Sequence, residues 1–249
     1  MMKIKFYGTS HGVVEKDRAG QCIFIEAGGS GYFFDMGKSG IECLRNDEYD
    51  VNKVKAVFFT HLDSDHFLGI MRFVELAVWY FKEMKYKLFF PEERGFTFIK
   101  SYVDTMMAGC SFPEDRIRHE VFTEGEIYKD ENIKVTAVRT KHLHDPGKSY
   151  GFLIEAEEKK VYITGDLQYT TADRLSDFPG IAREKLDMLV SEGAHFSTGA
   201  LMNELSRCEA EKIAIVHVFP QAKYDEFENE KHRLKGELIL PKDGDEYII

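Results

Sequence analysis

One short segment concentrates side chains of the kind that bind metal ions. Residues 60–66 read THLDSDH, which places two imidazoles and two carboxylates within six positions, at His61, Asp63, Asp65 and His66. An apolar run precedes the segment and an apolar helical pattern follows it. A loop between a strand and a helix brings side chains to one point, and imidazole with carboxylate suits zinc, iron or manganese. The segment therefore predicts part of a metal site.

Three more candidate ligands stand where apolar strands are predicted to end. His142 follows VTAVRT, Asp166 follows VYITG, and His217 follows IAIV. Each alone is typical of a capping or surface residue, but the seven together supply enough donors for two metal ions, with Asp166 as the bridge. His144, in the same KHLHDPG stretch, is the alternative to His142, and the strand register favours His142.

The stretch SEGAHFST holds a second kind of candidate, Glu192 and His195, after another predicted strand. His195 is interpreted either as a group that contacts a substrate phosphate or protonates a leaving group, or as an outer imidazole held by hydrogen bonds. His11, His119 and His232 have no clustering partner in the sequence and are interpreted as structural or surface residues.

Periodicity predicts a mixed α/β chain with two groups of strands flanked by helices. Predicted strands cover residues 3–7, 22–27, 32–35, 54–59, 88–90, 133–139, 150–155, 160–163, 188–191 and 213–218. Predicted helices cover residues 67–84, 98–107 and 200–211, and the aromatic stretch 79–81 is expected in the core or at a dimer face. The strands at 133–163 suggest an antiparallel meander. Without a linker or repeat, residues 1–249 are expected to form a single domain.

Composition limits the partners that the chain can have. Among 249 residues the net charge is −10, which repels phosphate backbones and makes a long nucleic acid an unexpected main partner, while a small anion remains compatible. No stretch approaches about 20 uninterrupted apolar residues and the start lacks a signal-peptide apolar region, so no membrane association and a cytoplasmic location are expected. The four cysteines show no CxxC spacing, which disfavours a cysteine zinc site.

The ordered motifs HLDSDH, a distal histidine, YITGD and IVH resemble those of the metallo-β-lactamase superfamily. The opening GTSHGVVEKDR and the later SYGF are most similar to the branch that contains tRNase Z and related phosphodiesterases. The resemblance extends to about Tyr224. It implies an α+β fold, a four-layered αββα sandwich, with two metal ions at one edge between the sheets.

The resemblance also implies how the ligands divide. The first metal would take His61, Asp63 and His142; the second would take Asp65, His66 and His217; Asp166 would bridge them. Asp63 departs from the family's HxHxDH pattern, because a histidine normally stands there. A carboxylate shifts the preference from zinc toward iron or manganese, although zinc also accepts carboxylate oxygen. Two divalent ions, zinc or iron/manganese, are therefore expected.

The expected activity is hydrolysis of a small phosphodiester by a metal-bridging hydroxide that Asp65 orients, with His195 as candidate acid. A small diester fits better than tRNA, since no long Gly/Pro-rich insertion resembles the tRNA-gripping arm of tRNase Z. Two alternatives stay open: a non-haem di-iron oxidoreductase, suggested by Asp63, and a non-catalytic metal-containing binding protein. Family members are often dimers, so a homodimer is an additional expectation.

Overall fold

Two seven-stranded sheets form the centre of the molecule. The computed structural model describes residues 1–107, 109–168 and 178–249. The strands of the first sheet are β1 (Lys3–Gly8), β2 (Cys22–Ala27), β3 (Ser30–Met36), β4 (Val54–Phe58), β5 (Tyr86–Phe90), β6 (Ile117–Val121) and β14 (Glu246–Ile248). Their order across the sheet is β14-β1-β2-β3-β4-β5-β6. Pairing is antiparallel from β14 to β3 and parallel from β3 to β6.

The second sheet has the same size and a similar plan. Its strands are β7 (Gly125–Lys129), β8 (Lys134–Thr140), β9 (Ser149–Ala156), β10 (Lys159–Ile163), β11 (Lys185–Glu192), β12 (Glu209–Val216) and β13 (Glu237–Ile239). The order is β13-β12-β11-β10-β9-β8-β7. Strands β8 to β10 form the antiparallel meander that the sequence predicts, β7 extends it by one antiparallel strand, and β10 to β13 are parallel.

Helices cover the outer faces of both sheets. They are α1 (Gly40–Asn46), α2 (Ser64–Phe67), α3 (Gly69–Trp79), α4 (Glu93–Met106), α5 (Thr198–Leu205) and α6 (Lys223–Glu230). One buried cluster lies between the two sheets, a second joins α1, α3 and α4 to the first sheet, and a third joins α5 and α6 to the second. This arrangement is the αββα sandwich that the sequence predicts.

Helix boundaries differ from the predicted ones where tertiary contacts decide them. The predicted helix 67–84 is two helices, α2 and α3, and it ends at Trp79. The predicted helix 200–211 is wrong beyond Leu205, because residues 209–216 form β12 in parallel register with β11. The predicted core position of Trp79 and Tyr80 is also wrong, since both are exposed; a dimer face there stays a prediction.

Within the described ranges, none of the helices is long and apolar enough to cross a bilayer.

Candidate metal centre

A buried carboxylate near the end of β3 holds the segment 60–66 by hydrogen bonds. Asp35 accepts hydrogen bonds from the Thr60 backbone N–H (2.7 Å) and from the Thr60 hydroxyl. Its other oxygen lies 2.8 Å from Nδ1 of His66, and the Thr60 hydroxyl lies 2.9 Å from Nδ1 of His61. Both imidazoles thus use Nδ1 in a supporting contact, which leaves Nε2 as the nitrogen that can bind a metal.

The first predicted triad lies together at the mouth of the site. The carboxylate of Asp63 is 3.6 Å from Nε2 of His61 and 3.7 Å from Nε2 of His142. The two imidazole centroids are 5.0 Å apart. His61 is buried, whereas the Asp63 side chain is 53% exposed, so this triad opens to solvent on the Asp63 side.

The second predicted triad lies deeper. The carboxylate of Asp65 is 3.1 Å from Nε2 of His217 and 3.5 Å from Nε2 of His66. His66 and His217 are each 1% exposed. In each triad one donor atom per residue lies within 4.8 Å of the others, which is compatible with one shared cation per triad.

Asp166 lies between the triads, after β10. Its oxygens are within 4 Å of Nε2 atoms from both groups: 3.8 Å for His61, 3.7 Å for His142, 3.4 Å for His66 and 3.5 Å for His217. The chain reaches this position through Gly165, whose φ is +58°, and a Cβ atom there would lie 2.6 Å from the carbonyl oxygen of Tyr150. A glycine therefore permits the turn that brings Asp166 inward.

His217 directly follows β12 and has a strained backbone conformation. Its φ is +52°, unusual for a residue with a side chain, and its N–H donates to the carbonyl of Thr9 at 2.8 Å. Thr9 is itself held by Asp243, which accepts from its N–H (3.0 Å) and its hydroxyl (2.9 Å). The loop after β1 and the C-terminal segment thereby fix the backbone that carries His217.

The charges of the cluster favour cations. Burial lowers the pKa of His61 to about 4, which keeps its imidazole neutral near pH 7. Burial also opposes the charged form of His66, but the carboxylates of Asp166 and Asp35 outweigh it and raise that pKa to about 9. For Asp65, burial is outweighed by the hydrogen bond with His217 and the charge of His66, so its pKa stays well below its ordinary value. The carboxylates thus create a strongly negative site.

Residues 2–235 match the sequence profile of the family described as Anti-Pycsar protein Apyc1. The chain belongs to this family. It is also similar to the Ribonuclease Z of Thermococcus sibiricus, at 22% identity over 298 residues, covering 98% of this chain and 95% of the relative. It spans about half the length of further Ribonuclease Z sequences that it matches.

Solved structures show the same fold. The metallo-β-lactamase fold protein YhfI from Bacillus subtilis matches over the whole of both chains, with a TM-score of 0.76 and 16% identity. Human tRNase Z, short form, matches with a TM-score of 0.73 and 17% identity, over 99% of each chain. The predictions of a metallo-β-lactamase fold and of a metal-dependent hydrolase are confirmed.

The residues present in this family member fit two divalent ions. Within the described part of the chain, three buried ligand atoms have no hydrogen-bond partner: Nε2 of His61, Nε2 of His66 and Oδ1 of Asp166. Buried polar atoms are normally paired, so unpaired ones that converge on one point indicate a site that can bind a cation. Three imidazole or carboxylate donors per triad, with a shared carboxylate, match the coordination that zinc, iron or manganese accepts.

Glu192 and His195 lie beside this cluster. Glu192 is buried, accepts from the backbone N–H of Leu167 at 2.6 Å, and lies 2.8 Å from Nδ1 of His195. The His195 imidazole centroid is 4.9 Å from that of His142 and 5.5 Å from that of His217. Since Nδ1 contacts Glu192, Nε2 is the nitrogen available to a substrate.

The structure distinguishes His142 from its alternative and places a further histidine, His11, beside the site. His142 lies in the first triad, whereas His144 is exposed and is absent from the ligand groups found among the described residues. The interpretation of His11 as a residue without a clustering partner is wrong. Its imidazole stacks on Phe219 and lies 4.8 Å from that of His217. The position of His11, three residues after the glycine that ends β1, matches the strand-end pattern of the ligands and indicates a place at the site.

An apolar groove of about 410 Å³ borders the first triad. Its polar rim includes Asp63, Ser64 and Arg94, Gly95 also lines it, and the apolar lining residues are Leu62, Phe67, Leu68 and Phe98. Leu68 and Phe98 are 48% and 51% exposed, respectively. Large apolar side chains that stay exposed beside a polar site often mark a ligand groove.

Proposed function

We propose that this chain is a binuclear metal-dependent phosphodiesterase that hydrolyses a small phosphodiester. The observation that carries the proposal is the position of Asp166, whose carboxylate lies within 4 Å of imidazoles from both triads. A carboxylate shared between two three-residue sites would keep two ions close together, as two-metal hydrolysis requires. His61, Asp63 and His142 would hold one ion and Asp65, His66 and His217 the other.

Two divalent ions, when bound here, supply Lewis acidity and neutralise charge on the scissile phosphate. The chain's own side chains divide the remaining work. Asp65 would orient the attacking water, whose oxygen forms the new bond to phosphorus and whose proton passes to solvent. The bond from phosphorus to the leaving alcohol breaks with its electron pair, and protonated His195 gives the leaving oxygen its proton.

A small diester is favoured over a polymer by charge and by shape. The net charge of −10 opposes the approach of a long polyanion, whereas the groove beside Asp63 can accept one organic substituent of a small cyclic or short diester. Arg94 is the cation at that groove and is 60% exposed. An RNA substrate is the second candidate, because the curated relatives are named Ribonuclease Z.

The metal is proposed from the ligand set. Asp63 makes the first triad richer in carboxylate, which favours manganese or iron over zinc, although zinc fits as well. Iron as the bound metal would favour the di-iron oxidoreductase alternative. Bound metal without turnover of any substrate would favour a non-catalytic binding protein.

The test is a substrate panel with metal-loaded protein. Small cyclic and short linear phosphodiesters are compared with tRNA at several salt concentrations. The proposal expects turnover of small diesters and weak binding of tRNA. Tight, salt-dependent tRNA binding with cleavage would replace the small substrate by RNA. An absence of hydrolysis across diesters, lactones and esters would overturn the phosphodiesterase proposal.

A further inference from the structure

Lys223, the first residue of α6, extends its ammonium group into the loop that carries His195. Its Nζ donates to the carbonyl oxygens of Gly193 (3.0 Å), Ala194 (2.8 Å) and Phe196. An ammonium has three N–H donors, and here all three are used by a single loop. Burial lowers the pKa of Lys223 from its ordinary value, while the carboxylates of Glu192 and Glu226 oppose that shift. The contact is therefore specific and partly buried.

The same loop is held from its other side by Glu192. The backbone N–H groups of Ala194 and His195 each donate to a Glu192 oxygen at 3.2 Å, and the His195 imidazole bonds to it as well. Glu192 thus holds the N–H groups of the loop while Lys223 holds its carbonyls. Two opposite charges clamp four residues, and the residue between the clamps is His195.

Helix α6, which carries Lys223, is anchored to the rest of the fold. Phe227, one turn after Lys223 on α6, is fully buried in the outer core of the second sheet. Glu226 also accepts a hydrogen bond from the hydroxyl of Thr198 at the start of α5. Because α6 is anchored in this way, the Lys223 ammonium is presented from a fixed position.

We infer that Lys223 is a positioning residue that sets the location of His195 for proton donation to the leaving group. The inference rests on the proposed phosphodiesterase function. Proton transfer needs a donor within hydrogen-bond reach of the leaving oxygen, so displacement of this loop should weaken acid catalysis and leave the metal ligands in place.

The decisive readout is the dependence of rate on the leaving group. Metal-loaded Lys223→Met is compared with the native chain on two diesters that differ in one alcohol, an alkyl alcohol or 4-nitrophenol. Displacement of the acid should lower kcat for the alkyl leaving group about 10- to 100-fold, which is less than the roughly 10²- to 10⁴-fold that general acid catalysis typically contributes, because His195 is displaced and not removed. With 4-nitrophenol, which departs without protonation, kcat should change less than about threefold, because there is little for an acid to contribute.

Lys231→Met is the matched control, because Lys231 stands at the other end of α6, is 58% exposed and pairs with Glu228. It should leave both rates unchanged. If Lys223→Met does not fold, Lys223→Gln keeps an N–H donor and is used instead. An equal loss on both diesters, or no loss on either, would overturn the inference.

A second measurement separates this inference from the proposed function. In metal-free protein, amide hydrogen exchange at Ala194 and His195 should accelerate at least about tenfold in Lys223→Met, because the loop can open locally. Unchanged exchange contradicts the clamp. If the native chain cleaves neither diester, the proposed function fails, whereas the exchange result still decides whether Lys223 holds the His195 loop.

Discussion

At the residue scale, the carboxylate of Asp166 has a different task from the other acids of the cluster. Asp63 and Asp65 each lie against imidazoles of one triad, whereas Asp166 contacts both. It is 4% exposed, and one of its oxygens has no hydrogen-bond partner among the residues that the structure describes. A carboxylate that is buried and incompletely hydrogen-bonded requires compensating positive charge nearby.

The first prediction concerns the bridge. In Asp166→Ala, the number of metal ions bound per chain should fall from two to one or none, because both ions lose a shared ligand. The kcat should fall at least about 10³-fold. Elemental analysis and diester hydrolysis measure the two effects. Near-normal turnover in this variant would contradict the bridging role.

The second prediction concerns Asp35, whose carboxylate orients His66 through Nδ1. Asp35→Asn should weaken metal binding at the second triad about 10- to 100-fold, since outer partners of metal-binding histidines have effects of this size. Titration with manganese or zinc measures it. Asp130→Asn is the control, because Asp130 also accepts several hydrogen bonds, from Tyr32 and Tyr128 at 2.7 Å, but has no histidine partner among the described residues. Equal affinities in both variants would contradict the role of Asp35.

The candidate ligands could be predicted from the sequence because each polar residue stands where an apolar strand stops. Asp35 and His11 occupy similar strand-end positions, in FFDMG and YGTSHG, yet neither is among the site residues predicted from the sequence. Asp35 acts through His66, a contact across 31 positions that no local pattern reveals. His11 reaches His217 only after β1 and β12 are brought together by the fold. The ligand roles themselves stay predictions.

At the element scale, the last residues join the two sheets. Strand β13 adds an edge to the second sheet and β14 adds an edge to the first. Between them, Asp243 accepts hydrogen bonds from Thr9 and from the N–H of Ala19, and lies 3.6 Å from the Lys38 ammonium. This segment therefore supports the loop whose Thr9 carbonyl holds His217.

The third prediction follows from that support. Asp243→Ala should lower the free energy of unfolding by about 1–3 kcal/mol, because the N–H groups of the buried Thr9 and the partly buried Ala19 lose their acceptor. Metal affinity at the second triad should fall as well. Denaturant unfolding and metal titration provide the test, with the exposed Glu237→Gln as control. Unchanged affinity would show that Thr9 holds His217 without Asp243.

The elements that could be predicted are those with a strong apolar pattern. Strand β2 was predicted at its observed bounds, and β4, β8, β9 and β10 to within one residue at either end. Strands β6 and β7 were missed because they are largely polar and only partly buried. Strands β13 and β14 have three residues each and form through pairing with distant strands. Such pairing is tertiary and leaves little trace in local sequence.

At the scale of the whole molecule, the site joins the edges of both sheets. The segment 60–66 follows β4 of the first sheet, while His142, Asp166 and His217 follow strands of the second. Metal ions at this position would link the two halves of the sandwich across their buried interface. Metal binding should therefore stabilise the entire fold.

The fourth prediction tests this link. Removal of metal with a chelator should lower Tm by about 5–10 °C for each site that is loaded at 100 times its Kd, since binding at that level contributes about 2.7 kcal/mol. Calorimetry of the metal-free and reloaded protein measures the shift. A Tm that does not respond to chelation or to added metal would mean that the cluster holds no ion in the folded state.

The central claim, a binuclear centre, is tested most directly by metal content per chain. Protein purified without added metal or chelator is analysed for zinc, manganese and iron, and protein concentration is measured independently. We expect about two equivalents of metal, and the identity of the metal ranks hydrolase against redox enzyme. A metal-free protein that also fails to take up added manganese, iron or zinc would contradict a binuclear centre. It would mean that the carboxylate of Asp63 is incompatible with a functional metal site.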